Sequence, residues 1–270
     1  MAQPLLDRVL LTNDDGIDAP GLAVLEAIAA ELAREVWVVA PARDQSGTAQ
    51  SITVYTPLRV DGRGTLRFAV SGTPGDCVAL GIRRLMAGSP PDLVLSGVNR
   101  GTNLGAETSF SGTVGAAMTA LALGVPAIAL SQAYTDGRAV PWETARALGP
   151  AVVARLVAQR KAAGQDWAGR VCLSVNFPDC PAAEARPLKL TIQGRGALAG
   201  IEAIERVDPR GFTYHWLSFA HDSGVDAEGT ERAAVAAGHV SVTPLGLERT
   251  DAATLAQLRA TLEGDKPEFR

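Results

Sequence analysis

The sequence predicts an α/β fold built on a mostly parallel sheet, and three observations lead to this prediction. Short apolar runs alternate with helical patterns along most of the chain. The first runs lack the polar–apolar alternation of half-exposed strands, which indicates strands covered on both faces. Several runs end abruptly in small polar residues, as parallel strands do at the carboxyl edge of an open sheet. With 270 residues, 47% hydrophobic and 20% charged, the chain is predicted to form a single domain over 1–270.

The first predicted unit is a β-α-β motif. An apolar strand runs through Val9 to Asn13, a helix follows from Pro20 to Leu32, and a second strand spans Glu35 to Pro41. A right-handed crossover places the carboxyl ends of the two strands side by side. The loop after the second strand, residues 42–51, is therefore expected to lie beside the end of the first.

The next elements are a hairpin and a helix. Strand character at Ile52–Val60 and at Leu66–Val70, separated by the turn-forming residues 61–64, predicts a hairpin at the sheet edge. Thr73 before Pro74 predicts the start of a helix that continues to about Ala87. The later predictions are strands at 91–96, 127–131, 170–177, 188–193, 212–219 and 239–243, and helices at 114–123, 141–163, 230–237 and 251–262. Residues 194–210 carry little core signal and are predicted to form an arm or hairpin.

Candidate functional residues follow three of these strands. Asp14 and Asp15 end the first strand, Ser46 and Gly47 lie after the second, and Asn99 follows the strand at 91–96. The same segments carry Asn13 and Asn103, and the helix at 114–123 is preceded by Ser111, Gly112 and Thr113. Parallel strands bring these ends to one edge, so we expect the residues to share a site.

The chemistry of these residues points to a cation and an anion. Two adjacent carboxylates resist ionising together unless something cationic lies between them, and Mg²⁺ or Mn²⁺ prefers such oxygen ligands. Ser111 and Thr113 are predicted helix caps, and with Gly112 they also offer hydroxyl and N–H groups to an anion. The alternative is that Asp14 and Asp15 merely form a turn and cap the helix that follows.

Composition excludes several classes of function. Aromatic residues make up 5% and the formal net charge is −4, so neither stacking platforms nor a basic surface for a nucleic-acid polymer is expected. Cys77, Cys172 and Cys180 are an odd number of cysteines without metal-ligand spacing. This suits a reducing compartment, with no disulfide framework and no zinc site, and the first two are predicted to be buried. The longest apolar run, residues 116–130, is too short to span a bilayer, so the protein is expected in the cytoplasm with no membrane partner.

Taken together, the segments 12–16, 46–47, 96–105 and 111–114 resemble the SurE family (survival protein E, a 5′-nucleotidase). Their order and spacing match over about the first 130 residues, and residues 240–245 are similar to the family's C-terminal strand. The resemblance implies a Rossmann-like three-layer α/β sandwich with a C-terminal hairpin and helix extension used in oligomerisation. It implies a core of about 1–185, an oligomerisation part of about 186–270, and a homodimer or homotetramer.

The resemblance also implies an activity and a site. Family members are metal-dependent phosphatases that release phosphate from nucleoside 5′- and 3′-monophosphates, and some also trim short polyphosphate. One divalent ion per subunit, Mg²⁺ or Mn²⁺, is expected on Asp14, Asp15, Ser46 and Asn99, with Asp14 and Asp15 catalytic. Phosphate or substrate binding is assigned to Asn13, Gly47, Asn103, Ser111, Gly112 and Thr113. The hydrolysis is expected to use a metal-activated water.

Two rival functions are weighed against this hypothesis. In a covalent aspartyl-phosphate phosphatase two aspartates are usually one residue apart with a lysine nearby, whereas here they are adjacent and no lysine follows a candidate loop. A non-catalytic, Mg²⁺-dependent nucleotide-binding or regulatory module would also use an acidic pair, but three convergent loops favour an enzyme. His215, His221 and His239 lie outside the site motifs and are predicted to be structural or surface residues.

Overall fold

The computed structural model describes residues 4–162, 169–222, 224 and 226–262. The strands are Leu6–Thr12 (β1), Ala33–Pro41 (β2), Val60–Gly64 (β3), Arg67–Val70 (β4), Leu93–Arg100 (β5), Ala127–Gln132 (β6), Val171–Phe177 (β7), Arg186–Leu190 (β8), Leu198–Val207 (β9), Thr213–His221 (β10) and His239–Gly246 (β11). The helices are Pro20–Ala30 (α1), Pro74–Leu80 (α2), Gly112–Ala122 (α3), Trp142–Ala162 (α4), Glu231–Ala236 (α5) and Ala252–Leu262 (α6). A π-helical turn, Gly81–Leu85, continues α2, and a 3₁₀ turn, Gly105–Ser109, precedes α3.

The main sheet has nine strands in the order β3-β4-β2-β1-β5-β6-β7-β11-β8. Its pairs are parallel except at β3–β4 and β11–β7, which are antiparallel. This confirms the predicted α/β class with a mostly parallel sheet. The chain leaves β1 towards β2 on one side, and β5 lies on the other side of β1. The strand order therefore reverses at β1, where open α/β sheets place their ligand sites.

Helices cover both faces of the sheet and make it the middle of three layers. On one face α1, α4 and β1 share a core that contains Leu25, Val153 and Leu11. On the other face α2, α3 and β1 share a core that contains Val78, Ala117 and Leu10. Because neighbouring residues of β1 point into opposite cores, the strand is apolar throughout, as its sequence indicates.

Three predicted strands differ from the observed ones. No strand forms over Ile52–Leu58, where the backbone N–H and hydroxyl of Thr53 bond the carboxylate of Asp76 at 2.8 and 2.7 Å instead of pairing with a strand. Residues 61–64, predicted as a turn, instead form most of the exposed edge strand β3, and the chain reverses direction after Gly64. β5 continues past the predicted end at Ser96, and β8 begins before Leu188. The predicted end of α4 at Ala163 lies outside the described residues.

The C-terminal third contributes to the sheet and also forms a separate hairpin. β8 and β11 extend the main sheet, whereas β9 and β10 pair with each other as a two-stranded antiparallel ribbon. Residues 194–210, predicted as an arm or hairpin, contain only the first strand of this ribbon, and the strand predicted at 212–219 is the second. The ribbon exposes Ile201, Trp216 and Leu217. α6 buries none of its residues. Among the described residues, no helix has the length and apolar character that crossing a membrane requires.

Candidate active site

The acidic pair lies where β1 ends, at the reversal of strand order. Asp14 is only 4% exposed, its Oδ1 accepts the Thr113 hydroxyl, and its backbone oxygen accepts the N–H of Gln45 at 2.8 Å. Asp15 is half-buried, and its Oδ2 accepts the Arg100 N–H at 3.4 Å. Neither residue caps α1, whose N-cap is Ala19 without a side-chain hydrogen bond. The capping role proposed in the alternative is therefore wrong for this pair.

The electrostatics of the pair indicate a shortage of positive charge. Burial raises the pKa of Asp14 to about 6, although the Thr113 hydroxyl opposes the rise and the carboxylates of Asp15 and Asp44 add to it. Burial also raises the pKa of Asp15, against the Arg100 N–H and guanidinium, which lower it. The charge of Asp44 thus adds to that of the acidic pair, and a cation next to Asp14 and Asp15 would favour their ionised forms.

Seven of the ten predicted site residues line one cavity of about 460 Å³. They come from the ends of β1, β2 and β5 and from the start of α3: Asp14, Asp15, Ser46, Gly47, Asn99, Asn103 and Ser111. The convergence of three strand ends predicted from the sequence is confirmed. A second cavity of about 680 Å³, which residues 48–51 help to line, contains none of the ten. Asn13, Gly112 and Thr113 are buried just behind the acidic pair and do not line either cavity.

The start of α3 holds Asp14 in place. Ser111 is the N-cap, since its Oγ accepts the N–H of Val114 at 3.1 Å. Thr113, predicted as a second cap, instead donates its hydroxyl to Asp14. A Cβ added at Gly112 would lie 2.7 Å from the Asp14 Cβ, so this position permits the close approach of helix and carboxylate. Gly112 and Thr113, assigned to phosphate binding from the sequence, therefore contact the Asp14 side chain directly.

The asparagines differ in how much of each side chain is already bonded. Asn103 is buried and its Nδ2 donates a hydrogen bond to the Ser131 hydroxyl at 2.8 Å. This bond already uses one N–H of the amide and fixes the side chain in place. Asn99 donates its Nδ2 to the Gly101 carbonyl at 2.9 Å, which leaves its carbonyl oxygen to face a ligand. Asn13 donates to the Gly16 carbonyl at 2.8 Å, and its buried Oδ1 has no hydrogen-bond partner in the described part of the chain.

The donor set fits a hard divalent cation. The atoms that meet at the cavity are carboxylate, hydroxyl and amide oxygens, which Mg²⁺ and Mn²⁺ prefer. No group of three or more His, Cys, Asp or Glu side chains suited to a metal occurs among the described residues. The unpartnered Oδ1 of Asn13 and the raised pKa values of Asp14 and Asp15 also fit a nearby positive charge.

Sequence reasoning missed part of the cavity wall. Glu107, Phe110, Tyr134, Phe219 and His221 line the cavity together with the acidic pair. His221, predicted to be a structural or surface residue, has a half-exposed side chain that also lines this cavity, with its Nε2 3.3 Å from the Glu107 Oε1. Phe219 and His221 are two residues apart on β10 and so share a face, but that signal is informative only once the hairpin is known to fold over the site.

The other two histidines lie elsewhere. His215 pairs with Glu205 across the hairpin at 3.4 Å, and His239 lies with its Nδ1 2.8 Å from the Pro187 carbonyl oxygen. Neither lines the cavity. For these two the predicted structural or surface role is consistent with their positions.

Comparison with known proteins gives a consistent result. A family model described as "Survival protein SurE" matches residues 9–199. A relative from Burkholderia lata, "5′-nucleotidase SurE 1", is 60% identical over 260 residues, which are 96% of this chain and 98% of that protein. A "5′-nucleotidase SurE" from Beijerinckia indica is 45% identical over 96% of this chain and 98% of its own. The crystal structure of the SurE protein from Aquifex aeolicus matches with a TM-score of 0.77 and 34% identity, covering 94% of this chain and 98% of that one.

Proposed function

Because the chain belongs to the SurE family, we propose that it is a 5′-nucleotidase that releases phosphate from nucleoside 5′-monophosphates with a divalent cation, Mg²⁺ or Mn²⁺, bound once per subunit. The relatives from Burkholderia lata and Beijerinckia indica carry the name 5′-nucleotidase, which supports the activity. The observation that carries the proposal is the meeting of Asp14, Asp15, Ser46 and Asn99 at one cavity. We extend the proposal to nucleoside 3′-monophosphates and short polyphosphate, as the family resemblance implies.

The cation is assigned to the oxygen atoms of Asp14, Asp15, Ser46 and Asn99. The support is chemical: these are hard ligands, and burial raises the pKa of both carboxylates. When bound, such an ion neutralises charge on the transferred phosphoryl group and lowers the pKa of a coordinated water. The remaining steps belong to the protein's own residues.

These residues seat the phosphate and accept a proton. The Ser111 hydroxyl faces the cavity at the start of α3, where the unpaired N–H groups of the first turn attract an anion. Gly47 is exposed at the cavity rim, and Asn103 lies on its wall. Asp14 or Asp15 accepts the proton of the attacking water. Thr113 and Gly112 keep Asp14 oriented for this reaction.

The test measures phosphate release from a panel of nucleoside monophosphates with Mg²⁺, with Mn²⁺ and with excess chelator. Release should require metal, and Asp15→Asn should lower kcat at least about 100-fold because a ligand and base candidate is lost. Its melting temperature should stay close to that of the wild type. No release with either metal, together with tight metal-dependent nucleotide binding, would instead favour the regulatory module. Full activity of Asp15→Asn would overturn the site assignment.

Assembly and location are also proposals. We infer a homodimer or homotetramer, with a core of about 1–185 and oligomerisation through about 186–270. The exposed apolar residues of the β9–β10 hairpin and the uncovered helix α6 support this inference. A cytoplasmic location is supported by three cysteines that are all free thiols. Nucleoside monophosphates are the expected partners, and the net charge of −4 argues against a nucleic-acid polymer or an anionic membrane surface.

A further inference from the structure

We propose that His221 donates the proton that the leaving nucleoside oxygen requires, and that Glu107 positions the imidazole for this step. The inference rests on the proposed nucleotidase function and adds the general acid, for which the sequence alone indicates no residue. His221 is then a catalytic residue and Glu107 a positioning residue.

The two residues come from different elements and meet at the cavity. His221 ends β10, Glu107 lies in the 3₁₀ turn before α3, and the His221 Nε2 is 3.3 Å from the Glu107 Oε1. The Glu107 side chain is 17% exposed and the His221 side chain 53% exposed, so a partly buried carboxylate holds a more accessible ring. With Nε2 directed to Glu107, the second ring nitrogen, Nδ1, is left to meet a substrate. Both residues line the same cavity as Asp14 and Asp15.

Buried hydrogen bonds fasten the base of the hairpin to the site. The carboxylate of Glu231, which is 2% exposed, accepts the N–H of Gly105 at 2.6 Å in the turn that carries Glu107. Its other oxygen accepts the N–H of Gly194 at 2.7 Å, just before β9. Arg232 donates to the Asp222 carbonyl at 2.9 Å, directly after His221. The two ends of the hairpin are therefore held relative to Glu107, and so is the imidazole.

Aromatic packing holds the same face of β10 against the site. The rings of Phe219 and Phe110 pack with centroids 5.4 Å apart, and both residues line the cavity. Phe110 precedes the α3 N-cap Ser111. The face of β10 that carries His221 thus packs against the segment that carries Glu107 and the proposed phosphate-binding residue Ser111.

The other charged groups at the cavity do not replace this donor. Arg100 stays protonated and cannot release its proton. Asp14 and Asp15 are assigned to the cation and to the attacking water, and Asp136 is exposed to solvent. Arg232 lies near Glu107 and is occupied by the hairpin contacts.

The proposed step balances as follows. The water oxygen bonds to phosphorus as the bond from phosphorus to the nucleoside oxygen breaks, and the electron pair of that bond stays on the nucleoside oxygen. The water proton passes to Asp14 or Asp15, and the proton on the His221 Nδ1 passes to the leaving oxygen. Solvent then restores the proton on His221 and takes up the proton that Asp14 or Asp15 accepted. Without a donor the product would leave as an alkoxide, which is a strong base and a poor leaving group.

The experiment compares two leaving groups in the metal-loaded, full-length protein. His221→Asn should lower kcat for a nucleoside 5′-monophosphate about 100-fold, whereas kcat for p-nitrophenyl phosphate, whose leaving group departs unprotonated, should fall about threefold or less. His215→Asn is the matched control, since it lies on the same strand, pairs with Glu205 and does not line the cavity. It should change neither rate.

Glu107→Gln supplies a readout that a merely structural role would not give. Losing the carboxylate releases the imidazole from its position, so kcat for the nucleoside 5′-monophosphate should fall about tenfold while its KM stays close to the wild-type value. The kcat for p-nitrophenyl phosphate should fall about threefold or less.

The outcomes separate this inference from the proposed function. Equal losses on both substrates in His221→Asn, or no loss on the nucleotide, would overturn the role of His221 while the wild type remains a nucleotidase. A wild type that releases phosphate from neither substrate with either metal would overturn the nucleotidase itself. A normal melting temperature of His221→Asn, expected for a half-exposed side chain, excludes misfolding as the cause of any loss.

Discussion

Adding one methyl group at Gly112 should impair the site without replacing any group that does chemistry. A Cβ at this position would lie 2.7 Å from the Asp14 Cβ and 2.9 Å from its Oδ2. Ordinary carbon–carbon contacts begin near 3.4 Å. Relief therefore requires a displacement of about 0.7 Å between the start of α3 and the Asp14 side chain, and both are buried.

The size of the effect follows from this displacement. Functional groups have to be held within about 0.5 Å of their productive position, and a misplacement of about 1 Å can cost 100-fold in rate. We expect Gly112→Ala to lower kcat/KM about 30- to 100-fold, which corresponds to about 2 to 3 kcal/mol of transition-state stabilisation. Overpacking costs about 1–3 kcal/mol of folding stability, and the gain of alanine over glycine in a helix offsets about 0.5–1 kcal/mol of it.

Phosphate release as a function of metal concentration, together with thermal unfolding, checks this prediction. The apparent metal affinity should weaken along with kcat/KM, because the displaced side chain is an assigned ligand. Gly88→Ala is the control: a Cβ there meets nothing within 4 Å, so both quantities should be unchanged. Wild-type activity and metal affinity in Gly112→Ala would refute the argument that this close contact sets the position of Asp14.

Two further predictions concern stability. In chelator, Asp14→Asn should be more stable than the wild type at pH 8 by up to about 3 kcal/mol, because a carboxyl pKa raised from 3.8 to about 6 penalises the folded, ionised state. Because the folded protein binds the Asp14 proton more tightly than the unfolded chain does, the penalty reaches its full size above about pH 6. The stability difference between Asp14→Asn and the wild type should therefore shrink as the pH falls towards 3.8. Equal denaturation midpoints of the two proteins at pH 8 would contradict this prediction. Glu231→Ala should lower the free energy of unfolding by about 3 kcal/mol, because two buried N–H groups lose their acceptor. Urea denaturation measures this loss, with Glu228→Ala as the control. Glu228 is an exposed neighbour, so its replacement should leave the free energy of unfolding within about 0.5 kcal/mol of the wild type. Equal urea midpoints for Glu231→Ala and Glu228→Ala would count against the anchoring role of Glu231.

The part of the site that lies on parallel strands could be predicted from sequence. A strand buried on both faces has to be apolar, so polar residues such as Asp14 and Asn99 mark the point where it leaves the core. Parallel pairing then brings successive strand ends to one edge without any knowledge of side-chain contacts. The residues that line the cavity from β1, β2 and β5 are therefore implied by local patterns alone.

The part of the site that lies on the hairpin could not be predicted in this way. His221 reaches the cavity because Glu231 and Arg232, which follow it in sequence, bond backbone groups at both ends of the hairpin and in the turn at Gly105. Such contacts depend on groups far apart in the chain and leave no periodicity. The misassigned strand at 52–58 has a similar origin, because Asp76 competes with strand pairing for the polar groups of Thr53.

The burial of Asp14 links the stability of the site to its proposed function. A carboxylate that is 4% exposed and next to Asp15 destabilises the folded protein when it ionises, and the Thr113 hydroxyl compensates only in part. Gly112 and Thr113 leave the side chain little room to turn towards solvent. A cation that binds only the folded site would recover this free energy, and the same removal of water strengthens its attraction to the carboxylates. The contacts that make Asp14 costly in the metal-free protein are therefore the ones that would make its position selective for a divalent ion.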